Sequence, residues 1–196
     1  MTAIVVVKKN NKVCIAADTA VTVNGVIENA SINTHHDKIF QYKDNYFAYT
    51  GNAHSYMMVK LALEQHGDSW EFNSIDNIYK SLLELHRTLK EHFFTKTDTA
   101  DQNQSVEDSH LSYLLANPSG IYQFYGDRYV GEINTYWSCG SGSRLALGAM
   151  DALYEISEDP VTIAKAGIQA ACKFDQHCEL PLTQYSCEVI PQKTLE

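Results

Sequence analysis

The chain has 196 residues, of which 44% are hydrophobic and 20% charged, and its formal net charge at pH 7 is −9. This length predicts a single domain over residues 1–196, because domains usually run to roughly 100–200 residues. With only 15 lysines and arginines, nucleic acid and anionic membranes are not expected as partners, since both require a basic footprint. No apolar run approaches the ~18 residues of a transmembrane helix.

The cysteines and the N-terminal region predict a cytoplasmic location. Five cysteines are an odd number, and Cys14 and Cys172 lie in apolar segments, which favours reduced thiols over a disulfide framework. The first apolar run is short, and Lys8 and Lys9 follow it in place of a small-residue cleavage site. No signal peptide is therefore expected.

The first half of the chain predicts two β-hairpins and then two helices. Residues 5–7 and 13–17 are apolar arms around the turn "KKNNK", and "DKIFQYKDNYFAYTG" repeats this plan. The segment "NAHSYMMVKLALEQHG" contains good helix formers and ends at Gly67. The next helix begins after Ser74 as N-cap, and its apolar residues recur at steps of three and four. These residues are Ile75, Ile78, Leu82, Leu85 and Leu89.

The second half predicts strands, two more helices and a last strand. An acidic exposed loop, "TKTDTADQNQSVEDS", precedes strands in "HLSYLLANPSGIYQFYGDRYVGEI" and "YWSC". A Gly/Ser turn leads into one helix, and Asp159 with Pro160 predicts the start of the other. "TQYSCEVI" is the closing strand. Segregated runs of this kind predict an α+β fold in which helices pack on antiparallel sheets.

The threonine at position 2 is joined almost directly to the first strand. If Met1 is removed, its hydroxyl shares a residue with a free α-amine, whose reference pKa of about 7.7–8.0 suits a base near neutrality. A buried cation nearby would favour both the neutral amine and the deprotonated hydroxyl, and an acid must hold that cation. Asp18 ends one apolar strand and Lys38 begins another, so they are candidates for this pair.

In combination these motifs resemble the proteasome β-subunit family. The resemblance rests on the Thr-initiated strand, "AADT", "DKIF" and "YTGNA", and later on "GSGSRLALGAMDAL" and "AGIQAACKFD". It covers nearly the whole chain with the motifs in order. The short chain is most similar to the bacterial branch, which comprises the HslV-type protease and the betaproteobacterial proteasome homologue. The long segment from Ser74 to the acidic loop and the late "ELPL" favour the second of these.

The resemblance implies a four-layer αββα sandwich, the fold of the N-terminal nucleophile hydrolases. It assigns the nucleophile to Thr2 and the general base to the freed amine of that residue. Asp18 and Lys38 then form the supporting ion pair, in which Lys38 lowers the pKa of the hydroxyl.

Further site residues follow from the same resemblance. Gly51 in "YTGNA" would supply an oxyanion-hole N–H, Ser141 in "CGSGS" would bond near the amine, and Asp175 would be the second, orienting acid. The family usually carries Ser-Gly three residues after that acid, whereas this chain has Cys178 and Glu179. A thiol is a poorer hydrogen-bond partner than a hydroxyl.

The implied activity is that of a threonine-type endopeptidase in a double ring of identical subunits, either hexameric or heptameric. Peptides or unfolded proteins would be cleaved through an ester on Thr2, with no metal or organic cofactor, and an ATP-dependent unfoldase is a possible partner. Val21, Tyr49 and Ala53 fall near the substrate-binding positions of the family. The alternatives are a ring-forming scaffold with a vestigial site, which the Cys178-Glu179 departure allows, and an amidase acting on a small metabolite.

Other motifs predict less. "CGSGSRLALG" lacks a Walker lysine, and Leu145 replaces the third glycine of a dinucleotide fingerprint, so nucleotide binding is not expected. Adjacent histidines in a strand face opposite ways, so His35-His36 favours a solvated loop over a metal site. The spacing of Cys172, His177 and Cys178 matches no common zinc pattern. The acidic loop, residues 95–108, either narrows the axial entrance of a ring or is a surface loop.

Overall fold

A computed structural model describes residues 2–23, 25–33, 37–96 and 106–190. The strands are β1 (Ile4–Lys9), β2 (Lys12–Asp18), β3 (Val21–Val23), β4 (Val26–Glu28), β5 (Ile39–Tyr42), β6 (Asn45–Tyr49), β7 (Ser112–Asn117), β8 (Gly120–Tyr125), β9 (Val130–Ile133), β10 (Tyr136–Cys139) and β11 (Leu182–Glu188). The helices are α1 (Ala53–His66), α2 (Ile75–His92), α3 (Ser143–Tyr154) and α4 (Pro160–Phe174), with a short 3₁₀ turn at Gly67–Ser69.

Two antiparallel sheets carry most of the strands. The first has the order β10-β1-β2-β11 and the second the order β5-β6-β7-β8-β9, while β3 and β4 form a separate hairpin. In the first sheet Ile4 lies opposite both Cys139 and Ala17, and Asp18 lies opposite Leu182. Four strand ends therefore meet at the same end of this sheet: the start of β1, the ends of β2 and β10, and the start of β11.

The core consists of three buried clusters that alternate with the layers. One lies between the first sheet and α3 and α4, another between the two sheets, and the third between the second sheet and α1 and α2. Alternation along β1 explains this arrangement, because Val5 and Val7 face the helices while Ile4 and Val6 face the other sheet. The chain is thus a four-layer αββα sandwich, which confirms the predicted fold class.

The helix ends follow the local sequence. Ser74 accepts the N–H of Asn77 at 3.3 Å, and the Asp159 carboxylate accepts the N–H groups of Val161 and Thr162 at 3.2 and 3.0 Å. Both predicted N-caps are confirmed, and each satisfies backbone donors that have no partner inside the helix. In the described part of the chain, no helix is long and apolar enough to cross a membrane.

Candidate active site

Thr2 lies just before β1 and is held at both ends of its backbone. Its N–H donates to Ser141 Oγ at 3.2 Å, and its carbonyl accepts the N–H of Gly142 at 3.2 Å. Both partners belong to the turn that joins β10 to α3. The side chain at position 2 is therefore fixed against this turn, with the residue only 4% exposed.

Two glycines allow this turn to pack closely, Gly140 against Thr2 and Gly142 against Ala171 and Cys178. Gly140 has a φ of +99°, and a Cβ there would lie 2.1 Å from the carbonyl oxygen of Thr2. At Gly142 a Cβ would lie 2.8 Å from Ala171 Cβ and 2.9 Å from Cys178 Sγ. Both glycines stand in the family motif and in an incomplete dinucleotide fingerprint, and neither pattern predicted this packing role. The available signal was their alternation with Ser141 in "CGSGS".

Asp18 is completely buried and accepts hydrogen bonds from four donors. Its Oδ1 accepts the N–H of Ala3 at 2.8 Å and the ammonium of Lys38 at 2.7 Å. Its Oδ2 accepts the N–H groups of Ala20 and Glu179 at 3.0 and 3.4 Å. Donors in this number satisfy the hydrogen-bonding capacity of a buried carboxylate, which would otherwise be costly to remove from water. The carboxylate is bonded to the residue that follows Thr2.

Lys38 reaches Asp18 from the other sheet. It stands immediately before β5 and is 2% exposed, so the ion pair is removed from solvent on both sides. A buried charge is costly unless it is paired and hydrogen-bonded. The predicted pairing of Lys38 with Asp18 is present, and it links the two sheets next to the start of β1.

Asp175 shapes the turn that follows α4. Its carboxylate accepts the N–H of His177 at 2.8 Å, and its carbonyl accepts the N–H of Cys178 at 3.2 Å. These bonds return the chain so that Cys178 lies against Gly142. Asp175 is thus bonded within its own turn, and Cys178 connects this turn to Ser141.

Cys178 is buried at the position where the family usually has serine. Burial, followed by the charges of Asp18 and Asp175, raises the pKa of its thiol to about 12, while Lys38 and a hydrogen bond with Ser141 act in the opposite direction. The thiol is therefore neutral near pH 7. It contacts Ser141, as a serine hydroxyl at this position could, but with a weaker hydrogen-bonding group.

The remaining predicted site residues lie around the start of α1 and in the β3–β4 hairpin. Gly51 has a φ of +108° and is exposed in the turn between β6 and α1. Tyr49 ends β6 and is 7% exposed, and its burial together with the nearby charges of Tyr56, Asp18 and Asp37 raises its pKa to about 12. Ala53 is exposed at the start of α1, and Val21 is half-buried at the start of β3.

Within the described ranges, no group of three or more His, Cys, Asp or Glu side chains could hold a metal ion. All five cysteines, which fall within these ranges, are free thiols. Three earlier hypotheses concern residues outside the described ones: the removal of Met1, the His35-His36 pair, and most of the acidic loop, residues 97–105.

An αββα sandwich of two antiparallel sheets is the architecture of the N-terminal nucleophile hydrolases, and solved structures match it over nearly the whole chain. BPH from Thiobacillus denitrificans is 30% identical, with a TM-score of 0.87 over 97% of this chain and 100% of that one. The structure "Thiobacillus denitrificans BPH in complex with Epoxomicin" is 31% identical, with a TM-score of 0.86 over 96% and 100% of the two chains.

A eukaryotic HslV, from Trypanosoma brucei, is 16% identical, with a TM-score of 0.66 over 95% and 99% of the two chains, and shares the fold. The chain matches no protein-family model and no curated protein. On the strength of the BPH match, the chain belongs to the proteasome β-subunit and HslV-type family. This confirms the family that the sequence motifs indicated.

Proposed function

We propose that this proteasome-type protease subunit is a threonine endopeptidase whose nucleophile is the hydroxyl of Thr2. The observation that carries the proposal is the buried ion pair between Lys38 and Asp18, with its 2.7 Å contact. Asp18 also accepts the N–H of Ala3, so the charge pair is bonded to the residue next to Thr2. A buried cation held there favours loss of the hydroxyl proton.

The first chemical step needs the α-amine of Thr2, which is free once Met1 has been removed. The Thr2 hydroxyl oxygen attacks the carbonyl carbon of the substrate peptide bond, and the amine takes the hydroxyl proton. The carbonyl oxygen becomes an oxyanion, to which Gly51 donates its N–H. The positive φ of Gly51 is a backbone state that glycine adopts without strain.

The second step breaks the substrate C–N bond. The leaving nitrogen takes the proton from the α-ammonium, and Thr2 is left as an ester of the acyl fragment. A water molecule then attacks this ester with the amine as its base, which releases the acid and restores the hydroxyl. The α-amine relays the proton in both steps and water supplies the hydrogens that complete hydrolysis, so the proposed steps use no cofactor.

Ser141 and Cys178 prepare the amine for this task. Ser141 accepts a hydrogen bond from the nitrogen of Thr2 at 3.2 Å, and this contact orients the nitrogen after Met1 is removed. Cys178 meets Ser141 from the turn that Asp175 fixes. In this proposal Asp175 and Cys178 are positioning residues, and Val21, Tyr49 and Ala53 contact the substrate.

We further propose that the chain acts as a single domain in a cytoplasmic double ring of identical subunits, with rings of six or seven. Its substrates are peptides or unfolded proteins, and an ATP-dependent unfoldase is the expected partner for folded ones. Membership of the proteasome and HslV-type family supports this assembly. Native mass spectrometry of the purified protein measures it, with twelve or fourteen subunits expected and a monomer contradicting it.

Epoxomicin tests the nucleophile, because an epoxyketone reacts with both a hydroxyl and a free amine on one residue. A structure of BPH contains this compound, which supports its use here. Intact protein without Met1 is expected to gain the mass of one inhibitor, and Thr2→Ala is expected to gain none and to lose peptide turnover. Unmodified wild-type protein, together with full turnover by Thr2→Ala, would refute the assignment. Retention of Met1 in cells would instead favour the scaffold.

A further inference from the structure

We propose that Asp37 is a positioning residue that sets the place of the Lys38 ammonium by tying β5 to strand β11 of the other sheet. This inference rests on the proposed function, in which Lys38 acts on Thr2. We call Asp37, Thr183 and Tyr185 the clamp. Thr183 and Tyr185 are 146 and 148 residues away from Asp37 along the chain.

Three hydrogen bonds hold the Asp37 carboxylate. Its Oδ1 accepts the N–H of Ile39 at 2.9 Å and the hydroxyl of Thr183 at 2.9 Å. Its Oδ2 accepts the hydroxyl of Tyr185 at 3.2 Å. Thr183 and Tyr185 are two residues apart on a strand, so both point to the same side and reach one carboxylate. The first bond fixes the turn around Lys38, and the other two fix that turn to β11.

The clamp joins two strands that no backbone ladder connects. β5 is the edge strand of its sheet and β11 is the edge strand of the other. In β11 Thr183 lies opposite Ala17, and its neighbour Leu182 lies opposite Asp18. The backbone of Lys38 is thereby tied to β11, which pairs with β2 at Asp18. Asp18 carries the carboxylate that the Lys38 side chain contacts. Tyr185 also stacks on Tyr46, with ring centroids 5.2 Å apart, which braces the clamp from β6.

A lysine needs this support more than most residues would. Its side chain is a flexible four-carbon chain with a compact charge at the end, so the position of the ammonium follows the position of the backbone at residue 38. The 2.7 Å contact with Asp18 depends on where the backbone at residue 38 lies. Displacement of a group that acts on the reaction by about 1 Å can cost 10²-fold in rate. Loosening the clamp should therefore lower turnover without affecting substrate binding.

The test removes hydroxyl groups of the clamp and leaves Asp37 and Lys38 intact. The double variant Thr183→Val, Tyr185→Phe deletes both hydroxyls at nearly constant volume. We expect its kcat on a short fluorogenic peptide to fall about ten-fold with KM unchanged, and its rate of modification by epoxomicin to fall in parallel. Thr183→Ser keeps the hydroxyl and should retain wild-type kcat. Tyr154→Phe, which removes a tyrosine hydroxyl bonded to the carbonyl of Lys8 at the far end of β1, is the matched control and should also retain it.

The proposal is overturned if the double variant keeps wild-type kcat, or if Thr183→Ser or Tyr154→Phe loses as much kcat as the double variant does. The thermal midpoint of each variant shows that the folded enzyme is being compared. Failure of the proposed function has a different signature, because wild-type protein would then resist epoxomicin and Thr2→Ala would stay active. If wild type is modified and Thr2→Ala is inactive, an unaffected double variant refutes the clamp alone.

Discussion

At the scale of single residues, the site depends on polar groups that satisfy one another's charges and hydrogen bonds. Asp18 and Lys38 are 0% and 2% exposed, and neither charge has solvent to replace its partner. The nitrogen of Thr2 has Ser141 as its acceptor, and Ser141 in turn meets Cys178. Substitutions at these positions should therefore have large effects for their size.

Replacing Lys38 by methionine should both unfold and inactivate the protein. The substitution keeps the length of the side chain but leaves Asp18 as an uncompensated buried charge, which costs roughly 3–5 kcal/mol of unfolding free energy. Urea denaturation measures this loss. Lys80→Met, at an exposed position of α2, is the control and should change the free energy of unfolding by under about 0.5 kcal/mol. Equal stability of the two variants would contradict a buried ion pair.

Cys178→Ser tests whether the thiol limits the site. A hydroxyl of similar size makes a stronger hydrogen bond to Ser141, so kcat should stay at the wild-type level or rise a few-fold. Cys178→Ala keeps the small volume but has no group to meet Ser141, and its kcat should fall below that of Cys178→Ser. Peptide turnover by the three proteins checks this order, and a lower kcat for serine than for alanine would contradict it.

At the scale of elements, the β10–α3 turn contacts both Thr2 and Cys178. Gly140→Ala should cost about 1–3 kcal/mol from its left-handed backbone, with a further cost from the clash with the Thr2 carbonyl. Gly148→Ala in α3 is the matched control, since a Cβ there meets nothing within 4 Å. Alanine at that exposed helix position should stabilise by about 0.5–1 kcal/mol. Thermal unfolding of both variants should therefore shift in opposite directions.

A second tie at this scale joins α2 to the segment before β7. Glu107 bonds to His86 at 3.1 Å and to Lys90 at 2.6 Å, and these hydrogen bonds from Lys90 and His86 lower its pKa. A carboxylate whose pKa is lowered by folding stabilises the folded state fully above the unfolded-state pKa of about 4.3. This stabilisation is lost as the pH falls through the folded-state pKa. The thermal midpoint of Glu107→Gln should therefore lie below wild type at pH 7, and the gap should close as the pH falls through the lowered folded-state pKa. A gap that is constant with pH would contradict this.

The sequence predicted the main helices and strands because their signals are local. Ser74 and Asp159 are caps that bond within three residues, and period-three-to-four apolar spacing identified α2. The β3–β4 hairpin was missed although "VTVNGVIE" has Asn-Gly between apolar residues, a strong hairpin signal. Its strands are three residues long and Val26 and Ile27 are exposed, so no alternating pattern marked them.

The site was only partly predictable from the sequence, because some of its contacts join residues that lie far apart in the chain. Family motifs indicated Thr2, Asp18, Lys38 and Ser141; the structure pairs Thr2 with Ser141 and Asp18 with Lys38, and it bonds Asp18 to Ala3, the residue after Thr2. The Asp37 clamp and the packing of Cys178 against Gly142 depend on contacts between residues far apart in the chain. No local pattern encodes such a contact, and only the folded geometry reveals it.

At the scale of the whole molecule, three continuous clusters bind the layers together. We therefore expect residues 1–196 to unfold as one cooperative unit. Calorimetry of a dissociated Thr2→Ala subunit checks this, with equal calorimetric and van't Hoff enthalpies as the expected result. Two resolved transitions would contradict the single-domain proposal.

The central claim is that Thr2, once its amine is free, is the nucleophile. Intact-mass measurement of the protein before and after treatment with epoxomicin tests this claim most directly. The account predicts that wild-type protein lacks Met1 and gains the mass of one inhibitor per chain, and that Thr2→Ala gains none. Wild-type protein that has lost Met1 and yet stays at its original mass would contradict it.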